Sequence, residues 1–381
     1  MMGGVSYRRM PDGTQVSLLG FGCMRLPRLY EDRQDIDAKA AQEMIDYAIA
    51  QGINYFDTAW PYHQGMSEPF LGEALSKHPR DSFFLASKLP TWDINCAEDV
   101  DRIFNQQLER CRVDHFDFYL IHNFVAEYFE REENCRIYQK LLEKKRAGQI
   151  RYLGFSFHDV PKVLEQVADK YAWDFAQIQL NYLDWELQNA KRQYEILESR
   201  SIPVIVLEPV RGGALASLSE PALKLLHEAN PEQSPASWAL RFAASFPGVL
   251  TVLSGMSDFA QVKENIQTMS APPPLTEADR ELLERVCTAY LSAGTIPCTG
   301  CRYCMDCPAG VDIPKVFAIY NQYCIFHQQL AFERTYGYLT ERQKASACVD
   351  CKSCVPRCPQ GIDIPARLRE VADAIANLPQ D

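Results

Sequence analysis

Eight of the chain's fourteen cysteines crowd into two short runs near its C-terminal end. The first reads Cys298-x2-Cys301-x2-Cys304-x2-Cys307-Pro308, the second Cys348-x2-Cys351-x2-Cys354-x3-Cys358-Pro359. The residues after each run repeat too. Pro308-Ala309-Gly310-Val311-Asp312-Ile313-Pro314 is answered by Pro359-Gln360-Gly361-Ile362-Asp363-Ile364-Pro365. Such a duplication is not chance placement. In a reducing compartment, thiols this dense favour metal over disulfides, so this segment must fold around the group its sulfurs hold.

The spacing suits a cage of iron and sulfide. Four thiolates must point at its corners; three cysteines at two-residue intervals wrap one side, and a remote cysteine before proline closes it. In two-cluster ferredoxins that remote cysteine serves the other cluster. The spacing therefore predicts Cys298, Cys301, Cys304 and Cys358 on one [4Fe-4S] cluster, and Cys348, Cys351, Cys354 and Cys307 on a second. The first run is one residue short before its last cysteine, which bears on how Cys307 is used. A single cluster and all-thiolate zinc, which paired CxxC motifs also make, are the alternatives. Ile313–Tyr323 and Gln328–Ala345 read as helices, so this segment resembles the α-helical dicluster ferredoxin type. Cys23, Cys96, Cys111, Cys135, Cys287 and Cys324 lack ligand spacing and are expected as buried structural thiols.

Ahead of the cysteines, strand-like apolar runs alternate with amphipathic segments. Pro11-Asp12-Gly13 signals a hairpin turn before the strand-like Val16–Cys23. Ala38–Gln51 has apolar residues at helical spacing and meets Gly52, a helix stop. Strand-like runs recur at Asn54–Thr58, Phe83–Leu89, Phe116–His122, Gln149–Phe157, Phe175–Tyr182, Pro203–Glu208 and Val249–Ser254, with helical segments between. Eight such units in about 250 residues predict a (β/α)8 TIM barrel, an α/β fold, behind an N-terminal β-hairpin. An open doubly wound sheet is the alternative. Ala271-Pro272-Pro273-Pro274-Leu275 is a stiff break. The expected domains are a barrel over 1–270, a linker and connecting helix over 271–295, and a small α-helical ferredoxin-like iron–sulfur domain over 296–381.

Asp57, Lys88 and His122 each directly follow an apolar strand run, where barrels place chemistry, and Tyr62 lies in the loop after the first. Carbonyl reduction needs such a set. Hydride arrives at carbon and a proton must reach the developing alkoxide. A phenol is a weak acid at neutral pH, and a nearby ammonium stabilises its anion. Tyr62 is the candidate general acid, Lys88 its tuner, Asp57 the partner of Lys88, and His122 a donor that orients the carbonyl. Singly, each residue reads as a loop or structural side chain; the signal lies in their order on successive strands.

These residues resemble a known family. The stretch Leu18-Leu19-Gly20-Phe21-Gly22-Cys23-Met24-Arg25-Leu26, then Phe56-Asp57-Thr58-Ala59-x-x-Tyr62, Ser67-Glu68 and Leu71-Gly72, is similar to the aldo/keto reductases, and the order Asp57, Tyr62, Lys88, His122 matches their tetrad. With the cysteine segment, the chain resembles the ferredoxin-fused bacterial branch. The resemblance implies a nicotinamide site: Ser156, in Gly154-Phe155-Ser156, and Gln177 on the carboxamide, and Ser254, Gly255, Ser257, Gln261, Glu264 and Asn265 around the pyrophosphate and adenine. Helix N-termini suit such anions. Two positions depart from the family's pattern. Glu208 falls near the usual stacking tyrosine, and Gly255 and Gln261 stand where basic residues hold a 2′-phosphate, which leaves NADH and NADPH both open. Lys263 and Arg241 are the cations available to substitute. Trp60, His63, Trp92, Phe124 and Trp185 are expected near the substrate pocket.

A net charge of −11 with no basic run argues against nucleic-acid binding. No apolar stretch is long enough to cross a bilayer, and the residues after Met1 contain no signal-peptide core. A cytoplasmic protein with no membrane partner is expected. The sequence thus reads as an oxidoreductase acting on a small-molecule carbonyl or alcohol with NAD(P)H, carrying two [4Fe-4S] clusters that are structural or serve a redox partner protein. The alternative is an iron–sulfur electron-transfer protein whose barrel has weak or no nicotinamide activity. Hydride carries two electrons and each cluster one, and no flavin motif supplies a splitter.

Overall fold

The computed structural model describes residues 4–30 and 35–378. The outer limits of the expected domains, at 1–3 and 379–381, lie outside the described residues, as does the start of the N-terminal reading. The chain forms two compact units. One runs to Pro209 and includes Ser237–Leu275; the other comprises Val210–Ala236 and the residues from Thr276 onward.

In the first unit, β1 (Tyr7–Arg9) and β2 (Gln15–Ser17) form the antiparallel hairpin. Eight parallel strands then close a barrel: β3 (Leu19–Gly22), β4 (Tyr55–Asp57), β5 (Phe84–Pro90), β6 (Phe116–His122), β7 (Ile150–Phe157), β8 (Phe175–Gln179), β9 (Val204–Leu207) and β10 (Val249–Ser254), with β10 paired back to β3. These strands are buried on both faces, which is why they read as continuous apolar runs rather than as alternations. Val16–Cys23, one strand-like run in the sequence, is split. The hairpin's share ends at Ser17, Leu18 is a bend, and β3 begins the barrel at Leu19.

The hairpin decides which end of the barrel can work. Its Met10 and Val16 pack with Tyr55, Phe118, Tyr152, Phe175 and Leu250, near the strand starts. Edge-on rings tighten this plug, with centroids 4.9 Å apart for Tyr55 and Phe118 and 5.1 Å for Phe118 and Phe175. Each fully buried large apolar side chain there contributes about 1.5–3 kcal/mol. Gly154 is required where β7 meets β8, because a Cβ would lie 2.6 Å from the Phe175 carbonyl oxygen. The helices outside follow the expected pattern. Ala38–Ala50 buries Ala41, Met44, Ile45 and Ala48 and is capped by Asp37, which accepts from the Ala40 N–H at 3.0 Å.

The second unit turns the sequence duplication into two like helices. Asp312 caps Ile313–Phe326 and Asp363 caps Ile364–Ala376, each followed by a proline in the first turn. Val311, Ile313, Phe317, Ile362, Ile364 and Leu368 share one core, with Cys298, Cys307, Cys348, Cys354 and Cys358 packed against it. The helix expected over Gln328–Ala345 stops at Gly337, and short 3-10 turns at Glu341–Gln343 and Ala345–Ala347 come after it. Thr276 and Asp279 form the capping box of Glu277–Leu291. No helix among the described residues is long and apolar enough to cross a membrane.

Candidate functional site

With the hairpin under the strand starts, the strand ends gather the polar residues. Asp57, Lys88 and His122 are all buried, between 1% and 4% exposed. Tyr62 opens a short turn in which His63 and Gln64 both adopt left-handed backbone, at φ 51° and 55°. Such geometry costs about 1–2 kcal/mol per non-glycine residue, so the surrounding packing holds Tyr62 in place at some expense in stability.

Lys88 organises the group. Its Nζ donates to Asp57 Oδ1 at 2.6 Å, the Thr58 carbonyl at 2.8 Å and the Tyr62 hydroxyl at 3.3 Å. Three donors on an ammonium are thereby matched to three acceptors. Asp57 also accepts from Gln177 Nε2 at 3.1 Å through Oδ2. His122 sits edge-on to Tyr62, with ring centroids 6.3 Å apart, and 4.9 Å from Trp92. The structure thus brings all four tetrad candidates together, three of them buried and Tyr62 half-buried. Behind β5, the fully buried Glu68 accepts from Ser87 Oγ at 2.7 Å and Gln107 Nε2 at 2.5 Å, and Gln107 also donates to the Lys88 carbonyl at 3.0 Å. This network fixes the backbone that aims Lys88. Burial pushes the Glu68 carboxyl up, while Ser87, Arg110 and Gln107 pull it back.

His158, directly after β7, is a residue the sequence reading missed, though its place at a strand end was the available signal. Burial first, then Lys88, lowers its pKa to about 4; burial, Lys88 and His158 hold His122 well below the usual imidazole range. Neutral imidazoles are therefore the working forms at neutral pH. The unfolded chain binds the extra proton near pH 6.5, so the contribution of His158 to stability is complete above that pH and is lost as pH falls toward 4. His158→Gln is expected to flatten the loss of stability between those two pH values. Urea midpoints measured across that range test this, and an unaltered slope counts against it.

Ser156 and Gln177 are register partners on β7 and β8, each 1% exposed. The Ser156 hydroxyl accepts from the Asn123 N–H at 2.8 Å. At the end of β10, Asn265 donates to Ser254 Oγ at 3.0 Å, and the Ser257 N–H to Gln261 Oε1 at 2.9 Å. Gly255 and Ser257 are exposed. Glu264 is exposed on the same helix and, among the described residues, joins none of these bonds. Arg25 is the cation the sequence reading overlooked. A Cβ on Gly255 would lie 3.2 Å from the Arg25 side chain, and Arg25 Nη2 is 3.1 Å from Glu208 Oε1. Arg241 is buried against the Trp238 ring, and Lys263 lies over Phe259. Asp258 already caps the helix start, accepting from the Gln261 N–H at 2.9 Å, so the exposed Gly255 loop, Ser254 and the Arg25 guanidinium are the donors that fit an anionic pyrophosphate.

Around the tetrad, burial raises the Asp93 carboxyl, while Arg102 and Arg131, and then Trp60 and Trp92, pull it down. Arg110 covers Trp60 at 4.2 Å. His63 is buried. Phe124 packs among Phe129, Phe155 and Trp173, and Trp185 stacks on Phe246, so both serve as wall packing.

In the second unit, Cys298, Cys301, Cys304 and Cys358 line one cavity. Burial pushes the Cys304 thiol up, with Cys301, Cys298 and Cys358 adding to the shift. Burial also raises Cys354, with Cys348, Cys307 and Cys351 as its thiol neighbours. The first cavity thus draws one member, Cys358, from the second run, and Cys307 of the first run is among the thiols near Cys354. Among the described residues no three His, Cys, Asp or Glu side chains converge closely enough for a single metal ion. Four thiols lining one cavity are the kind of donor set that a thiolate-bound cluster needs. Of the six remaining cysteines, Cys23, Cys111, Cys135 and Cys324 are buried, whereas Cys287 is half-buried and Cys96 is exposed. Cys96 departs from expectation because it caps the helix Ala97–Cys111, where the chain enters from solvent.

Residues 18–286 match the aldo/keto reductase family, and residues 297–362 match a 4Fe-4S dicluster domain. Among curated relatives, the uncharacterized oxidoreductase YqkF of Bacillus subtilis is 27% identical over 300 residues, 71% of this chain and 92% of its own. L-galactose dehydrogenase of Arabidopsis thaliana is 27% identical, over 72% of this chain and 90% of its own. Among solved structures, the holo form of aldo-keto reductase AKR11C1 from Bacillus halodurans superposes with a TM-score of 0.62 at 27% identity, covering 74% of this chain and 96% of its own.

Proposed function

This chain belongs to the aldo/keto reductase family and carries a 4Fe-4S dicluster domain; on that premise we propose that it transfers hydride between NAD(P)H and a small carbonyl or alcohol substrate, with Tyr62 as general acid. It is an oxidoreductase, and its family implies a nicotinamide cofactor and small-molecule carbonyl substrates. The observation that carries the finer reading is Lys88, which binds Asp57 and Tyr62 at once in a buried site.

Bound nicotinamide supplies the hydride. The substrate oxygen then gains negative charge, and the Tyr62 hydroxyl donates its proton to it. Lys88, 3.3 Å away, stabilises the charge left on the phenol oxygen. Asp57 holds that ammonium in place, and Gln177 holds Asp57. Neutral His122 donates to the carbonyl oxygen and orients it. In the reverse direction, Tyr62 takes the alcohol proton. Ser156, Ser254, Ser257, Asn265 and Arg25 would hold the nucleotide, with Gly255 giving it close approach. The pairing of Arg25 with Glu208 leaves both NADH and NADPH as candidates.

The second part of the proposal is two [4Fe-4S] clusters, held by Cys298, Cys301, Cys304 and Cys358, and by Cys307, Cys348, Cys351 and Cys354. They serve a redox partner protein or stabilise the fold, since structural metal sites contribute folding energy directly. Iron and sulfide content of protein purified without oxygen, followed by NADH and NADPH titration, tests both parts. About eight irons per chain are expected from the two cubanes, together with binding of at least one nucleotide. Iron without nucleotide binding would favour an electron-transfer protein; colourless, zinc-loaded protein would end the cluster reading.

A further inference from the structure

The duplicated cysteine runs fold into two turns of like backbone and unequal exposure. Thr299-Gly300-Cys301-Arg302-Tyr303 corresponds, position by position, to Val349-Asp350-Cys351-Lys352-Ser353. Gly300 and Asp350 are left-handed at φ 66° and 53°, and Arg302 and Lys352 at 67° and 59°. In the first turn Thr299 is buried, Gly300, Cys301 and Tyr303 are half-buried, and Arg302 alone is exposed. In the second turn every residue is exposed, Cys351 included. Val349 is 69% exposed where Thr299 is 4%. The cavity framed by Cys298, Cys301, Cys304 and Cys358 is walled by Ile313, Phe317, Ile362 and Ile364, and Cys304 is buried in it. Of Cys307, Cys348, Cys351 and Cys354 none is buried.

Charge follows the same division. Arg302 is answered by Asp312 at 3.7 Å. Lys352 joins no ion pair among the described residues, and the acid beside it, Asp350, is held by Arg369 at 3.0 Å. The inter-helix segment 292–312 has one basic residue against two acidic ones, whereas 338–363 has four against three, in a chain of net charge −11. The surface around the second run is thus a local exception to an acidic molecule. Electrons pass between proteins only over short gaps. A cage shut behind apolar side chains is therefore slow to exchange them, and one whose ligand turn lies at the surface is quick. We propose that the turn 349–353 is a docking port, through which the cluster held by Cys307, Cys348, Cys351 and Cys354 exchanges single electrons with an acidic one-electron carrier protein. The reduced carrier loses one electron and the cluster gains it, with no bond made or broken. Val349 supplies apolar contact, and Lys352 supplies the charge that steers and registers the carrier. This inference rests on the two-cluster reading under Proposed function.

The test is stopped-flow reduction of the full-length, anaerobically purified protein by a reduced plant-type [2Fe-2S] ferredoxin, itself acidic. Photoreduced deazaflavin, a small uncharged donor, serves as the control. Reduced parent protein without a [4Fe-4S] signal in electron paramagnetic resonance would overturn the two-cluster reading itself, and this inference with it. With clusters present, the measurements are made at about 0.1 M salt, where screening beyond about 10 Å leaves local charges in command. Lys352→Glu is expected to slow reduction by ferredoxin about three- to tenfold. Arg302→Glu, the same change at the matching position of the first turn, should stay near the parent rate. Deazaflavin should reduce all three proteins alike, and the parent's rate with ferredoxin should fall as salt rises. Should Lys352→Glu load less iron, Lys352→Gln decides the matter through a smaller slowing in the same direction. Equal slowing in the Arg302 and Lys352 variants would overturn the port while leaving the clusters standing. So would a parent that ferredoxin does not reduce, a rate that rises with salt, or a matching loss with deazaflavin.

Discussion

Replacing Tyr62 by phenylalanine is expected to slow carbonyl reduction by about a hundredfold to ten-thousandfold, the usual worth of a positioned proton donor. The ring would stay in its turn, since the only atom lost is the hydroxyl oxygen that receives the Lys88 N–H at 3.3 Å. Lys88 keeps its bonds to Asp57 and the Thr58 carbonyl, so the fold and nucleotide affinity should hold. The loss should fall on kcat, because the proton is delivered as hydride arrives and not in the ground state. Steady-state kinetics with a panel of aldehydes and ketones, beside nucleotide binding, checks this. A variant as fast as the parent would show that the proton comes from elsewhere, with His122 the next donor in reach.

Lys88→Met should cost more than activity. Lys88 and Asp57 are 1% and 5% exposed at the side chain, so removing the ammonium leaves a carboxylate in the interior with Gln177 as its remaining donor of those described. Breaking a buried pair from one side costs about 3–5 kcal/mol, a large share of what a domain has to spare. Asp57→Asn added to Lys88→Met should recover part of this, because the amide removes the stranded charge. That non-additivity distinguishes an ion pair from mere lost packing. Denaturant unfolding of the parent, both single variants and the double variant measures it, and a double variant no better than Lys88→Met would argue that packing dominates. Activity should be lost in all three variants.

Much of this was open to reading from the chain alone. The eight strand-like runs are largely apolar because parallel barrel strands are buried on both faces, and that burial writes itself into composition. The four tetrad residues could be found because each marks the place where such a run ends or the loop after it begins. Arg25 and His158 occupy equally telling positions, yet an arginine or histidine after a strand is common, and only its neighbours make it notable. Glu208 was noticed as a departure from a family pattern. Its meaning, an ion pair with Arg25, depended on β3 and β9 being brought to the same end of one barrel. Trp60 and Trp92 read as bare stacking surfaces; that Arg110 covers Trp60 and His122 lies against Trp92 depends on loop geometry that no periodicity encodes.

The chain by itself determined the local matters: a duplicated sulfur framework, eight repeating units, helix caps at Asp37, Thr276, Asp312 and Asp363, and the residue types the chemistry needs. These are set within a few positions of the backbone, by spacing, burial period and hydrogen-bonding side chains. The tertiary structure alone decided what lies across long separations: that Gln177 supports Asp57, that Arg25 meets Glu208, and that Arg211 ends on Gln360, 149 residues away. Such meetings arise from barrel closure and core packing, where many weak contacts are settled together and no short stretch carries the answer.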